Sequence, residues 1–399
     1  MNTNRRRVIA AAVAGGLGGL AGCTGGDVVG GIGDGGDGDD GDDGASSGDD
    51  GAAGADDEPT EIPENAPPTA DRPLHLDHDV EFMLNESLSG GVGQDGIPSI
   101  DEPRFRPIGE SDLDDDAPVF GVVRNGEARA YPQYVLVWHE IVNDEIGGER
   151  VAVTYCPLTG TAQGFERGDA QFGVSGHLVN SNLIMYDRST DSWYPQMVAT
   201  GIDGPMTGHS LREFQVVWTT LGEWRAEHPD SEVLTDETGY ARRYGNDPYG
   251  EYDPLGGYYV EDRTMFAPLE SADEGHMKSV VIGARTDAVA IAFDKETLLH
   301  ERVLTGTVAE SGDAVDVVAV ADPALSTGYV YRNPDGDVVE PEGDGYRVEG
   351  NGEADGGAVD ADDLPLDRLV AFDAMWFAWA GFYPTTEFVG NHTEPGYGR

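Results

Sequence analysis

The chain has 399 residues and a formal charge of −51, from 75 acids against 24 bases, and Lys278 and Lys295 are its only lysines. A polyanion of this density repels nucleic acid, which excludes nucleic-acid binding as its role. Such acidity is typical of disorder, yet residues 118–332 keep a regular apolar periodicity, which predicts a folded domain with a solvating acidic surface suited to high salt, as in a halophile.

Arg5, Arg6 and Arg7 precede the apolar run from Val8 to Leu20, and Leu20-Ala21-Gly22 then places small residues before Cys23. The run is short and glycine-rich against the roughly 20 apolar residues of a membrane-spanning helix. Residues 1–23 therefore read as a twin-arginine-type lipoprotein signal, with lipid on Cys23 tying the protein to the outer face of the cytoplasmic membrane. Residues 24–71 hold glycine and acid with almost nothing to bury, which predicts a disordered tether. Residues 72–117 form an N-terminal extension with a buried start at "HDVEFML". His75 and His78 lie there around Asp77, and the pair reads as a solvated loop.

The periodic core begins at Pro118. "VFGVVRNGEARAYP" is two apolar runs around Asn125-Gly126, the dipeptide suited to a type I′ hairpin. "PQYVLVWHEIVND" places Val135, Leu136, His139 and Val142 at helical spacing after Pro132, which predicts a helix. "ERVAVTYC", "AQGFER", "AQFGVSGHL" and "NLIMYDR" read as short strands. "FQVVWTTLGEWRAEHPD" reads as a strand running into a helix that stops at Pro229.

The grammar then recurs, with "VVIGARTDAVAIAFDKETLLHERVL" lying over "VFGVVRNGEARAYPQYVLVWHEIV" and "DVVAVADPALSTGYVYRN" over "ERVAVTYCPLTGTAQGFER". In that superposition Gly283 matches Gly121, and Asp322 stands where Cys156 does. The expectation is a strand-rich α+β fold of mixed and antiparallel sheets with few short helices and a two-fold internal repeat, its halves at 118–270 and 271–399. An acidic insertion, 343–365, need not be ordered. "FDAMWFAWAGFYP" reads as an aromatic helix that seals the core.

With Cys23 lipidated, Cys156 is the one free thiol of the mature chain, at a strand end before Pro157. A thiol needs a cation, a helix N-terminus or a metal to become a thiolate near neutrality. His139 is the nearest candidate, so Cys156 and His139 form either a nucleophile–base pair or two ligands of a copper or zinc ion. The competing reading is an apolar buried cysteine in a non-catalytic protein that binds a solute or a partner. Ser175 lacks a GxSxG elbow, which argues against serine hydrolysis. "NDPYGEYDPLGGYYVED" (246–262) reads as a long surface loop, with an oxygen-rich cation site or a sugar-stacking surface as its functional alternative.

Taken together, "NGEARAYP", "WHEIVND", "VTYCPLTGTA", "FGVSGHLVNSNLIMYDRSTDSWYPQ", "GPMTGHSL" and "RRYGNDPYGEY" resemble the domain-of-unknown-function 3179 family from about Pro118 to Phe293. The resemblance implies an exported or membrane-associated protein and supplies no activity. The family's Cys-Pro-Leu turn falls on Cys156, Pro157 and Leu158. Thr159 stands where many members carry a second cysteine, which removes a CxxC redox pair. The Tyr-Asp-Arg run falls on Tyr186, Asp187 and Arg188, making Asp187 and Arg188 candidates to orient chemistry at Cys156. Ser175, Asn180, Asn182, Tyr186, Ser192 and Gln196 form a polar set that is either a ligand-binding rim or a buried network.

Overall fold

The structure is a computed structural model that describes residues 62–252, 254–272, 275–310, 313–350, 357–391 and 395. Cys23, the signal and most of the tether lie outside the described residues. The fold is strand-rich, with short helices between mixed and antiparallel sheets.

Strands Pro118–Arg124 and Glu127–Pro132 pair through the Asn125-Gly126 turn, where φ is 49° and 80°, the left-handed pair that a type I′ turn demands. The helix that follows is only Gln133–Leu136, shorter than the expected run to residue 142. It ends because Glu140 takes φ 57°, which turns the chain into strand Ile141–Ile146. Val142 is thus a strand residue. Strands Ile141–Ile146, Glu149–Cys156 and Thr161–Glu166 make an antiparallel meander, with Glu213–Phe214 on its edge. Strand Val217–Thr220 then flanks Pro118–Arg124, and helix Leu221–Glu227 starts on a capping box between Thr220 and Glu223. Strand Glu232–Leu234 closes the unit parallel to Glu127–Pro132.

The second half follows the same order of connection. Its parts are the hairpin Val280–Arg285 and Ala290–Asp294, helix Lys295–Glu301, and the meander Val303–Glu310, Asp313–Asp322 and Thr327–Asn333 with Asp367–Leu369 on its edge. Ala371–Met375 then flanks Val280–Arg285, helix Trp376–Phe382 follows, and Glu387–Val389 pairs parallel with Ala290–Asp294. In each half a tryptophan of the late helix lies on a strand glycine, Trp224 on Gly121 and Trp379 on Gly283, and a Cβ at either glycine would enter the indole.

All seven residues of helix Trp376–Phe382 are buried, as core sealing requires, although the first four residues of "FDAMWFAWAGFYP" are strand rather than helix. Each buried aromatic side chain there contributes roughly 2–3 kcal/mol. One apolar core runs through both halves, joining Val153 and Leu183 to Met375 and Trp379.

The extension has a buried residue in "HDVEFML", Met83, and adds the sheet strands Leu88–Ser89 and Phe105–Pro107. The expectation of a solvated histidine pair is corrected. His75 and His78 are half-buried and engaged, His75 with Asp77 at 2.7 Å and His78 donating to the Gly381 carbonyl at 2.9 Å. The acidic insertion is ordered in part, because Gly345–Glu349 pairs with Val338–Glu342 and buries Tyr346.

Candidate functional site

Cys156 ends the central strand of the first meander, paired with Thr161 across the Pro157–Gly160 turn. Its thiol is 1% exposed and donates to the Ser181 carbonyl at 3.7 Å. Burial, then the nearby Glu140 carboxyl, push the thiol up to about 11, opposite to what a nucleophile needs.

Glu140 lies beside it because the left-handed turn at residue 140 brings that carbonyl to the amide of Tyr155, at 2.7 Å. The side chain is 7% exposed, and among the described residues no side chain bonds or pairs with its carboxyl. Burial alone pushes that acid up to about 8.

The 246–262 segment covers this corner and is not the surface loop expected from sequence, since Tyr252, Tyr258 and Tyr259 are buried. The Tyr258 hydroxyl donates to the Leu158 carbonyl at 2.8 Å, latching the loop onto the Cys-Pro-Leu turn. Asp247 accepts from Gln133 Nε2 and from the Tyr259 hydroxyl, each at 2.8 Å. Tyr249 is pushed up by burial and by Glu140 and Cys156, and its ring stands edge-on to Tyr258 at 6.2 Å. Lys278 sets its amine over the other part of this cluster, 3.4 Å from the Tyr258 ring centre, and burial pulls it down to about 8.

His139 is fully buried but does not serve Cys156. Its Nδ1–H donates to the Pro98 carbonyl at 2.7 Å, and its Nε2 accepts from the Tyr244 hydroxyl at 2.7 Å, whose oxygen in turn accepts from Thr238. With both nitrogens committed and the imidazole lowered by burial, it offers neither a base nor a metal ligand. No group of three or more His, Cys, Asp or Glu able to hold a metal occurs among the described residues, so the donors expected for copper or zinc do not fit one.

Asp187 and Arg188 are placed elsewhere. Asp187 accepts from the amides of Ser189 and Thr190 at 3.0 and 2.7 Å and from the Tyr194 hydroxyl at 3.0 Å, fixing its own turn. Arg188 binds Asp101 at 2.6 Å, Asp95 at 3.2 Å and Ser99 at 3.0 Å, and so pins the N-terminal extension. Tyr186 joins it by donating to Asp95 at 2.7 Å.

The remaining polar set is a buried network with its partners inside the protein. Ser175 donates to the Ile184 carbonyl at 2.6 Å. Ser192 lies 2.7 Å from the Thr190 hydroxyl and accepts from Met206 N. Asn182 Nδ2 donates to Thr159 and to Gln196 Oε1, both at 3.0 Å, and Gln196 donates to Thr154 at 2.8 Å. Asn180 and Ser181, at φ 55° and 59°, form a hairpin tip thrust into the core, where Asn180 donates to the Ala378 carbonyl at 2.7 Å. These residues hold the floor beneath Cys156 and leave no free rim.

A concavity of about 340 Å³ opens elsewhere, between Val123, Phe214, Leu369 and their neighbours. Arg124 is matched there by Glu149 and Glu166, and Glu213 by Arg285 at 2.7 Å, while Arg368 is held by Gln215 and over the Tyr329 ring. The Glu140 corner, by contrast, holds a carboxyl for which the described residues supply no hydrogen-bond or ion-pair partner.

Sequence reasoning missed Glu140 and Lys278, while Tyr249 and Tyr258 lie in the 246–262 segment it singled out. Two signals were available: Glu140 adjoins His139 in "WHEIV", and Lys278 is one of two lysines.

A strand-rich α+β protein with a covered acid–thiol corner is the class that fold and site define. The chain belongs to the family described as "Protein of unknown function (DUF3179)", which matches residues 94–386. No curated protein and no solved structure matches it. No described helix is long and apolar enough to cross a membrane.

Proposed function

We propose that this family member is an exported protein, lipid-anchored through Cys23 at the outer face of the cytoplasmic membrane, whose folded part binds a small solute at the Glu140–Cys156 corner without using the thiol as a nucleophile. The N-terminal arginines, apolar run and Leu-Ala-Gly-Cys support the anchor, and the acidic 24–71 segment supports the tether. The excess of acid supports life in high salt. Under this reading the two halves descend from one duplicated unit, and only the first acquired a corner that receives a ligand. The shared order of strands and the Trp-on-Gly contacts support that descent.

The observation that carries the binding reading is the Glu140 carboxyl, beside a protonated thiol and without a hydrogen-bond or ion-pair partner among the described residues. Desolvating such a group is costly, and a ligand that compensates it gains accordingly. The test is iodoacetamide modification of Cys156 in the folded protein, with and without a panel of small solutes. The expected result is slow modification that a bound solute slows further. Fast modification at neutral pH, unaffected by any solute, would restore the nucleophile and remove this reading.

A further inference from the structure

The second half contains the same corner with different side chains. Arg302 repeats the backbone of Glu140: φ is 68° against 57°, its amide reaches back to the Leu298 carbonyl as that of Glu140 does to Leu136, and its carbonyl accepts from Ala321 as that of Glu140 does from Tyr155. Asp322 ends the central strand there, and Tyr346 covers the corner. The Arg302 guanidinium lies 4.9 Å from the Tyr346 ring centre, so this corner carries its own cation on an aromatic face beside an acid. The first half has the aromatic cover, but Cys156 stands at the position of Asp322 and Glu140 at that of Arg302.

Resting on the reading that this corner receives a solute, we propose that the solute is a small organic cation with N–H donors, a primary or secondary ammonium, seated between the Glu140 carboxylate and the tyrosines of the 246–262 segment. The Tyr258 hydroxyl donates to Leu158 and the Cys156 thiol to Ser181, so neither is spare for the carboxylate, and ligand N–H groups meet that need. Tyrosine faces attract cations, and the cluster already seats the Lys278 amine on Tyr258. A metal ion is the weaker occupant, since Cys156 and Glu140 have no third ligating side chain among the described residues.

The groups that act on Cys156 and Tyr249 share one sign, while the cations Lys278 and Arg263 act on Tyr258. Cys156 faces Glu140 from the neighbouring strand and Tyr249 from the covering segment, with Asp247 and Tyr258 acting on Tyr249 in turn, and all four lose protons to become anions. An ammonium thus enters as Glu140 ionises and restores neutrality. Entry runs beneath the segment, whose short hairpin carries Gly250 and Gly257 at φ 153° and 65°, where side-chain-bearing residues are strained.

The experiment is calorimetric titration of the folded full chain with methylammonium in high salt, which screens diffuse counter-ion binding. Glycerol and zinc chloride serve as comparison probes, and Glu140→Gln and Arg124→Gln as variants checked for native circular dichroism. The expected result is saturable one-site binding that strengthens with pH, weakens at least about tenfold in Glu140→Gln and is unchanged in Arg124→Gln. Equal binding by wild type and Glu140→Gln would overturn the inference. Glu140-dependent binding of zinc or glycerol, but not of methylammonium, would overturn the ammonium assignment and leave the corner as a solute site. Absence of binding by all three, with Cys156 modification unaffected by any solute, would remove both.

Discussion

Two turns of one backbone type end the central strands of the two meanders. In the second half Asp322 caps its own turn, its Oδ1 accepting from the amides of Ala324 and Leu325 at 3.0 and 3.3 Å. In the first half a thiol that meets Thr159 stands at this position, sealed beneath a tyrosine segment with Glu140 beside it. The difference teaches that the fold itself demands the left-handed residue at 140 and 302, while the side chain placed there is free to vary. Glu140 is thus no backbone anomaly in need of a functional excuse. Its distinctive property is a carboxyl aimed at a covered corner where the other half presents a guanidinium.

Exchanging the two strand-end residues breaks the comparison most severely. Cys156→Asp puts a second acid next to Glu140 in a site without a cation, and denaturant unfolding near neutral pH should register a loss of about 3–5 kcal/mol. Asp322→Cys loses only a turn cap and should cost about 1 kcal/mol. Similar losses at both sites would mean that the corners are electrostatically alike.

Glu140→Gln sharpens it next. Because the folded protein raises this acid from its ordinary value to about 8, it binds more protons than the unfolded chain between those limits. Stability contributed by Glu140 is therefore complete below the ordinary carboxyl range, declines as pH rises to about 8 and is flat above. The variant should lack that decline and be more stable than wild type above pH ~8, on the order of 3 kcal/mol. A parallel pH dependence in the two proteins would place the ionisation elsewhere.

Gly121→Ala and Gly283→Ala test the likeness of the halves rather than their difference. Each methyl would enter an indole ring, and each variant should lose about 2–3 kcal/mol by chemical denaturation. A large effect at one glycine and none at the other would deny that the positions are equivalent. The smallest effect is at His139, where Tyr244→Phe removes the bond to Nε2 and should cost about 1 kcal/mol without changing the modification rate of Cys156.

Much of the scaffold was legible because it rests on local chemistry. Asn125-Gly126 announced its hairpin through the conformations both residues tolerate, and the alternation of "ERVAVTYC" announced a strand. The helix over 133–142 was misread because His139 and Val142 sit at helical spacing while one left-handed residue between them redirects the chain. The site was less legible. Asn180, Asn182 and Gln196 look like a rim in sequence, and only their partners, Ala378, Thr159 and Thr154, identify them as floor. The tyrosines of 246–262 look like surface because glycine, proline and acid surround them, yet their rings fill the space over Cys156. Glu140 adjoins a singled-out histidine in sequence, but what distinguishes it, a carboxyl without a partner among the described residues, shows only in the fold.

The most direct test of the covered, cation-free corner is the pH dependence of Cys156 alkylation in the folded protein, followed by mass spectrometry. The account predicts slow reaction with a midpoint above the ~8.5 of a free thiol, moving toward 11. A fast reaction with its midpoint depressed below neutrality would contradict it, because that requires a positive charge beside the sulfur where the structure places an acid.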